Sequence, residues 1–110
     1  MDLKTYQERA SKTAIFPNEK AMEYLALGMT SEAGEVAGKV KKLIRDGADK
    51  EGLEKTKLDI AFEIGDVMWY CSMLAKEIGT NLETICSVNI AKLEGRQKRN
   101  TLSGEGDHRW

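Results

Sequence analysis

The sequence predicts an all-α protein, and three observations support that prediction. Apolar residues recur at three- and four-residue spacing through most of the chain, as on the buried face of a helix. There is one proline, and no long run of β-branched residues alternates with polar ones as in a strand. The 110 residues are enough for one domain. We therefore expect an antiparallel four-helix bundle over residues 1–100, followed by a flexible C-terminal tail at 101–110.

The first half of the chain predicts two helices. A short amphipathic helix is expected over residues 3–13, before a break around Pro17. Asn18 is expected to cap a second helix over residues 19–45, because its side chain can accept a hydrogen bond from an amide of the first turn. Gly47 suits the end of that helix, where glycine is favoured.

The second half predicts two more helices. The third is expected over residues 53–78, with Gly79 ending it. Thr80 or Asn81 then caps a fourth helix over residues 82–98. At this chain length a single bundle buries a modest apolar area, so association into oligomers is expected.

Composition argues against several classes of protein. The formal net charge of −1 gives no support for nucleic-acid binding. No apolar stretch approaches the roughly 20 residues of a membrane span, and the start of the chain does not resemble a signal peptide. Cys71 and Cys86 fall within helical patterns, as reduced core cysteines do. We expect a cytoplasmic protein with no nucleic-acid or membrane partner.

Two copies of one acidic pattern are the strongest chemical signal. Glu32-Ala-Gly-Glu35 lies in the second predicted helix and Glu63-Ile-Gly-Asp66 in the third, and each places two carboxylates one turn apart on one face. If the chain folds back around Asp49, Glu32 faces Asp66 and Glu35 faces Glu63. Four carboxylates at one level repel each other unless a cation lies among them.

The alternative interpretation is a solvated face of ordinary surface acids, since 32% of the residues are charged. Against it, each pair adjoins an apolar stripe and encloses a glycine, Gly34 or Gly65. A glycine inside a helix costs about 1 kcal/mol relative to alanine, and close approach of another backbone or of a ligand is one reason to place two there. His108 is the single histidine. An oxygen-only site favours Mg²⁺, with Mn²⁺ as a possible substitute, over iron or zinc.

Other side chains suit a phosphate chain beside such an ion. They lie on the second and fourth predicted helices: Lys39, Lys42, Asn89, Lys92 and Arg96. The alternatives are a solvated basic face for the cations and a buried register-setting residue for Asn89. Tyr70, one turn beyond Asp66, either belongs to the core or stacks on a base.

Three motifs occur in order over roughly residues 20–100: Leu27-Gly-Met-Thr-Ser-Glu32-Ala-Gly-Glu35-Val, Glu63-Ile-Gly-Asp66-Val and Asn89-Ile-Ala-Lys92-Leu-Glu-Gly-Arg96. Together they resemble the MazG-like, all-α nucleoside triphosphate pyrophosphohydrolases. The family pattern is commonly EExxE followed by ExxD. Ser31 stands here in place of its first acid, and the ExxE pair is intact.

The resemblance implies a Mg²⁺-dependent enzyme that cleaves a (d)NTP between the α- and β-phosphates, giving (d)NMP and pyrophosphate, in the house-cleaning of non-canonical or surplus nucleotides. It implies four metal ligands, Glu32, Glu35, Glu63 and Asp66. Either Glu35 or Glu63 would also act as the catalytic base. The implied substrate contacts are Lys39, Tyr70, Asn89, Lys92 and Arg96.

The resemblance further implies a MazG-like bundle assembled into a homodimer or homotetramer, with helices from neighbouring chains closing the site. The alternative is a non-catalytic helical oligomer, either a degenerate relative or a scaffold, with a structural acid cluster. The intact set of four acids argues against that alternative.

Overall fold

A computed structural model describes residues 1–106 of the chain. Within that range the chain forms four α-helices, one short 3₁₀ turn and no strand, which confirms the all-α prediction. The helices are α1 (Leu3–Ser11), α2 (Ala21–Asp46), α3 (Lys50–Glu77) and α4 (Leu82–Lys98). Residues 107–110, with His108, lie outside the described residues. The predicted division into a domain and a tail at residue 100 stays a prediction.

The beginning of each central helix differs from the prediction for a local reason. Asp49 caps α3 by accepting a hydrogen bond from the Gly52 amide at 2.8 Å, so α3 begins at Lys50 rather than at residue 53. The predicted cap at Asn18 is wrong. Asn18 opens the 3₁₀ turn Asn18–Lys20, and α2 begins after it without a side-chain cap.

The predicted stop and cap signals around the other helix ends are confirmed. Gly47 ends α2 with φ of 68°, in the region that favours glycine. Gly79 follows the end of α3 with φ of 88°. Asn81 then caps α4 by accepting a hydrogen bond from the Thr84 amide at 2.8 Å. The predicted and observed bounds of α4 agree.

The centre of the fold is an antiparallel hairpin of α2 and α3. A three-residue turn, 47–49, joins them. Gly28 of α2 lies against Tyr70 of α3, near the open end of the hairpin. Lys39 lies against Glu63 nearer the turn. These contacts show that the helices run in opposite directions.

The helix α1 packs across the open end of the hairpin. The small core there consists of Ala10, Leu25 and Met73, which are 7%, 0% and 3% exposed. Trp69 Nε1 donates a hydrogen bond to Thr13 Oγ1 at 2.8 Å, which ties the segment after α1 to α3.

The four helices do not close into a compact bundle within one chain. The radius of gyration is 17.1 Å, against about 13 Å for a compact domain of this length. Within residues 1–106, α4 contacts α1 and α3 but not α2. Large apolar side chains of the hairpin are exposed as a result: Leu27, Ile44, Leu58, Phe62 and Ile64. No other segment of residues 1–106 covers these side chains.

Among the helices of residues 1–106, none combines the length and apolar character that a membrane crossing requires.

Candidate functional site

Three of the four predicted carboxylates meet between α2 and α3. One oxygen from each of Glu32, Glu63 and Asp66 lies within 4.8 Å of the other two. Glu32 and Glu63 are half-buried and Asp66 is exposed, so the group is open to solvent on one side. An open cluster of carboxylate oxygens is the donor set that a hard divalent cation prefers.

Glu35 is not a member of this group. Its side chain is exposed, one helical turn from Glu32. The predicted pairing of Glu32 with Asp66 is confirmed, but Glu63 does not turn towards Glu35. Oε1 of Glu63 lies 3.7 Å from Lys39 Nζ, and the Glu63 carboxyl also contacts Glu32. The attraction of the lysine explains this orientation.

The clustered carboxyls are not fully compensated by the protein. The pKa of Glu32 is raised above its ordinary value, first by a hydrogen bond with the Glu63 carboxyl, then by partial burial and the neighbouring negative charges. Oε2 of Glu63 is buried and has no hydrogen-bond partner among residues 1–106. A buried oxygen without a hydrogen-bond partner lowers the stability of the folded protein. A cation bound here would satisfy it, so these residues fit a divalent metal ion.

A cavity of about 320 Å³ adjoins the acids on the side away from the hairpin turn. It is lined by Thr13, Glu32, Asp66, Trp69 and Tyr70. The Trp69 and Tyr70 rings meet edge to face, with centroids 5.0 Å apart. Aromatic walls beside polar groups are typical of sites that hold a nucleobase.

Tyr70 is both a core residue and a wall of this cavity. Its ring packs against the α2 backbone at Gly28, where a Cβ atom would overlap the ring. It also lies 6.5 Å from the Tyr24 ring, centroid to centroid. A core position for Tyr70 is therefore compatible with a ring that stacks on a base.

No other segment of the described residues approaches Gly34 or Gly65, so a close approach there by a ligand or a second chain stays a prediction. No atom of the described residues lies within 4 Å of a Cβ built at either position. Close approach occurs instead at Gly28, because the Tyr70 ring crosses α2 there.

Thr13 is a cavity residue that the sequence analysis missed. Its hydroxyl donates a hydrogen bond to the Ala10 carbonyl at 2.7 Å and accepts one from Trp69 at 2.8 Å. Its place in the cavity depends on how α1 packs against α3, and no local motif signals that.

A second cavity, of about 310 Å³, lies beside the hairpin turn. Its lining mixes polar and apolar surface about equally: Lys39, Lys42, Leu43, Asp46, Gly47, Ala48, Gly52, Thr56 and Asp59. Lys39 therefore borders both this cavity and the carboxylate cluster.

The predicted substrate residues of α4 are not brought beside the acids of α2 by any backbone contact within one chain, because no Cα of α4 lies within 8 Å of a Cα of α2 in residues 1–106. Asn89 is exposed, so it is not a buried register-setting residue in this chain. Arg96 is 7% exposed, and its Nη2 donates a hydrogen bond to the Gly106 carbonyl at 2.8 Å.

Comparisons with known proteins agree with this geometry. The profile of the MazG nucleotide pyrophosphohydrolase domain matches residues 20–101, which include both acid pairs. The "Gene 37 protein" of Mycobacterium phage L5 is 38% identical over 117 aligned residues, covering 99% of this chain and 100% of that protein. Its name states no activity. No solved structure matches the chain significantly.

Proposed function

Since the chain belongs to the MazG nucleotide pyrophosphohydrolase family, we propose that it hydrolyses a (deoxy)nucleoside triphosphate between the α- and β-phosphates. The products are the monophosphate and pyrophosphate, and the role is the removal of non-canonical or surplus nucleotides. One observation supports this function best. The carboxylate group of Glu32, Glu63 and Asp66 lies beside a cavity with aromatic walls.

In this proposal the three clustered carboxylates hold Mg²⁺, and Mn²⁺ is a possible substitute. The bound ion would neutralise phosphate charge and lower the pKa of the attacking water. The exposed carboxylate of Asp66 lets the ion reach its ligands from solvent. Lys39, held 3.7 Å from Glu63, adds a positive charge that stabilises phosphate oxygens beside the acids.

Glu35 is the general base in this proposal. It was predicted both as a ligand and as a base, and its place outside the three-carboxylate group favours the second role. An exposed carboxylate one turn from a ligand is available to accept a proton from water. Glu63 is less suited, because its carboxyl already contacts Glu32 and Lys39.

The nucleoside occupies the cavity lined by Thr13, Trp69 and Tyr70. A base stacked on an aromatic ring contributes about 1–3 kcal/mol and tolerates different bases. Tyr70 is held in place by its packing against Gly28, so this wall is formed before the nucleotide binds.

A second copy of the chain completes the site in a homodimer or homotetramer. Asn89 and Lys92 contact the substrate from the partner's α4, since α4 has no backbone contact with α2 within one chain. Arg96 would join them only by leaving the Gly106 carbonyl, to which it donates a hydrogen bond at 2.8 Å. The exposed apolar side chains of the hairpin support association. Phe62 and Leu27, for example, are 66% and 71% exposed.

The test is pyrophosphate release from a panel of NTPs and dNTPs, with Mg²⁺ and with a chelator. Glu35→Gln keeps the side-chain shape and removes the base, so we expect a loss of about 100-fold or more. Glu77→Gln is the matched control, because Glu77 is exposed near the other end of α3.

Metal-dependent release of pyrophosphate and monophosphate, reduced only in Glu35→Gln, supports the proposal. Release of single phosphate would place the cleavage elsewhere and contradict it. No turnover by folded protein would favour the non-catalytic oligomer.

A further inference from the structure

We propose that the cavity beside the hairpin turn is the subsite for the β- and γ-phosphates, and therefore for the leaving pyrophosphate, with Lys42 as its principal anion-binding residue. This inference rests on the proposed function. It also gives the substrate a direction along the hairpin, with the nucleoside towards Tyr70 and the pyrophosphate towards Gly47.

The order of side chains along the hairpin matches the order of groups in a nucleoside triphosphate. At the open end, the aromatic cavity of Trp69 and Tyr70 suits a base. The carboxylate cluster follows, where a cation would bind the reacting phosphate. The cavity of Lys39 and Lys42 comes next, towards the turn. A nucleotide bound along α2 and α3 therefore meets an aromatic, an acidic and a basic region in turn.

The acidic and basic regions are continuous on α2. Glu35, Lys39 and Lys42 recur at i, i+4 and i+7 and so share one face of the helix. Glu32, the α2 member of the cluster, precedes Lys42 by ten residues, which span about 15 Å of α-helix. A lysine side chain that leans back along this face covers part of that distance, and an extended triphosphate covers the rest. Lys39 bridges the regions, since its ammonium group lies 3.7 Å from Glu63.

The cavity favours an anion although two aspartates line it. Asp46 pairs with Arg45, with Nε 2.8 Å from Oδ1, and Asp59 pairs with Lys55, with Nζ 2.7 Å from Oδ2. Lys42 forms no ion pair within 4 Å among residues 1–106, although its charge also acts on Asp46, whose pKa is lowered chiefly by the hydrogen bond with Arg45. Because Arg45 holds the Asp46 carboxylate directly, the Lys42 ammonium group can turn to a ligand in the cavity.

The first turn of α3 also borders the cavity, through Gly52. The Gly52 amide already donates a hydrogen bond to Asp49 Oδ1 at 2.8 Å, so a carboxylate occupies the N-terminal end of α3. The positive charge of the subsite therefore comes from Lys39 and Lys42.

The experiment measures binding of inorganic pyrophosphate and of the product monophosphate in the presence of Mg²⁺. It compares Lys42→Met with Lys41→Met in the full chain. Lys41 is exposed and does not line the cavity, so the control removes the same charge from the next residue. Unfolding temperatures verify that both variants fold.

We expect Lys42→Met to weaken pyrophosphate binding about tenfold, the order of one charge-assisted hydrogen bond. The monophosphate binds towards Tyr70 in this proposal and does not reach Lys42. Its affinity should therefore stay within about twofold of wild type, less than the change that losing one charge-assisted hydrogen bond would cause. Lys41→Met should change neither. Inhibition of turnover by added pyrophosphate should weaken in parallel with pyrophosphate binding.

Equal pyrophosphate binding in the two variants would overturn the subsite. Loss of monophosphate binding in Lys42→Met, with pyrophosphate binding kept, would mean the reverse direction and would also overturn it. Turnover by the wild type distinguishes failure of the subsite from failure of the proposed function. If the wild type releases pyrophosphate but the variants give either of these contrary binding results, only the subsite proposal is wrong. If folded wild type releases none, the proposed function fails as well.

Discussion

The ring of Tyr70 occupies the space that a side chain on residue 28 would need. Gly28 and Tyr70 face each other in the same hairpin register that brings Glu32 to Asp66. Gly28 and Tyr70 are equally far in sequence from Asp49 in the turn, and so are Glu32 and Asp66. The aromatic wall and the carboxylate cluster are therefore aligned by one helix pairing.

Gly28→Ala should destabilise the protein and weaken substrate binding. Overpacking costs about 1–3 kcal/mol, which exceeds the roughly 1 kcal/mol gained in helix propensity, so we expect a net loss of about 1 kcal/mol. The displaced Tyr70 should raise KM more than it lowers kcat. Thermal unfolding and steady-state kinetics provide the two measurements.

Gly34→Ala is the control for that substitution. No atom of the described residues lies within 4 Å of a Cβ there. The alanine should therefore stabilise the chain by up to about 1 kcal/mol. If Gly28→Ala were as stable as Gly34→Ala, with unchanged KM, the packing of Tyr70 would not matter for the substrate.

Glu32→Gln should stabilise the metal-free protein at neutral pH. The pKa of Glu32 is raised in the folded state, chiefly by the hydrogen bond with Glu63. The folded protein then holds this proton to higher pH than the unfolded chain. The free energy of unfolding therefore falls as the pH rises from the ordinary glutamate value through the raised one. Glutamine does not titrate, so the variant's advantage should grow as the pH rises above the ordinary glutamate pKa of about 4.3.

Unfolding temperatures in a pH series, with chelator and with Mg²⁺, test this expectation. Mg²⁺ should stabilise the wild type by mass action and stabilise Glu32→Gln far less. The order of stability then reverses when the ion is added. A variant that is less stable than wild type at every pH without metal would contradict the repulsion inferred at this site.

Mixing two inactive variants should restore activity if α4 acts on the partner's site. Glu63→Gln removes a proposed ligand, and Asn89→Ala removes a proposed substrate contact on the other helix. In a mixed dimer one site carries both changes and the other carries neither. Random exchange of equal amounts should then restore about a quarter of wild-type activity. No recovery, with exchange shown by mass, would place Asn89 in the same site as Glu63 of its own chain.

Much of the fold follows from local signals in the sequence. The bounds of α4 were predicted because Gly79 and Asn81 mark its start clearly. The start of α3 was placed too late because the Asp49 cap was overlooked. The register of the hairpin was predicted from the two acid pairs, and the meeting of Glu32 with Asp66 confirms it.

What could not be predicted depends on side-chain orientation and on packing between distant elements. The Glu63 side chain points towards Lys39 because of the rotamer it adopts, and helical spacing does not determine the rotamer. Thr13 reaches the cavity only because Trp69 holds it from α3. The lack of backbone contact between α4 and α2 is a matter of packing between distant elements, which the sequence motifs do not encode.

The short turn of residues 47–49 also has a consequence for the order of folding. Glu32 and Asp66 are 34 residues apart in sequence, yet only the three residues of this turn lie outside a helix between them. We expect the hairpin to form before α1 and α4 dock, so repulsion between the acids should lower the folding rate. An ion that relieves this repulsion should then raise the folding rate.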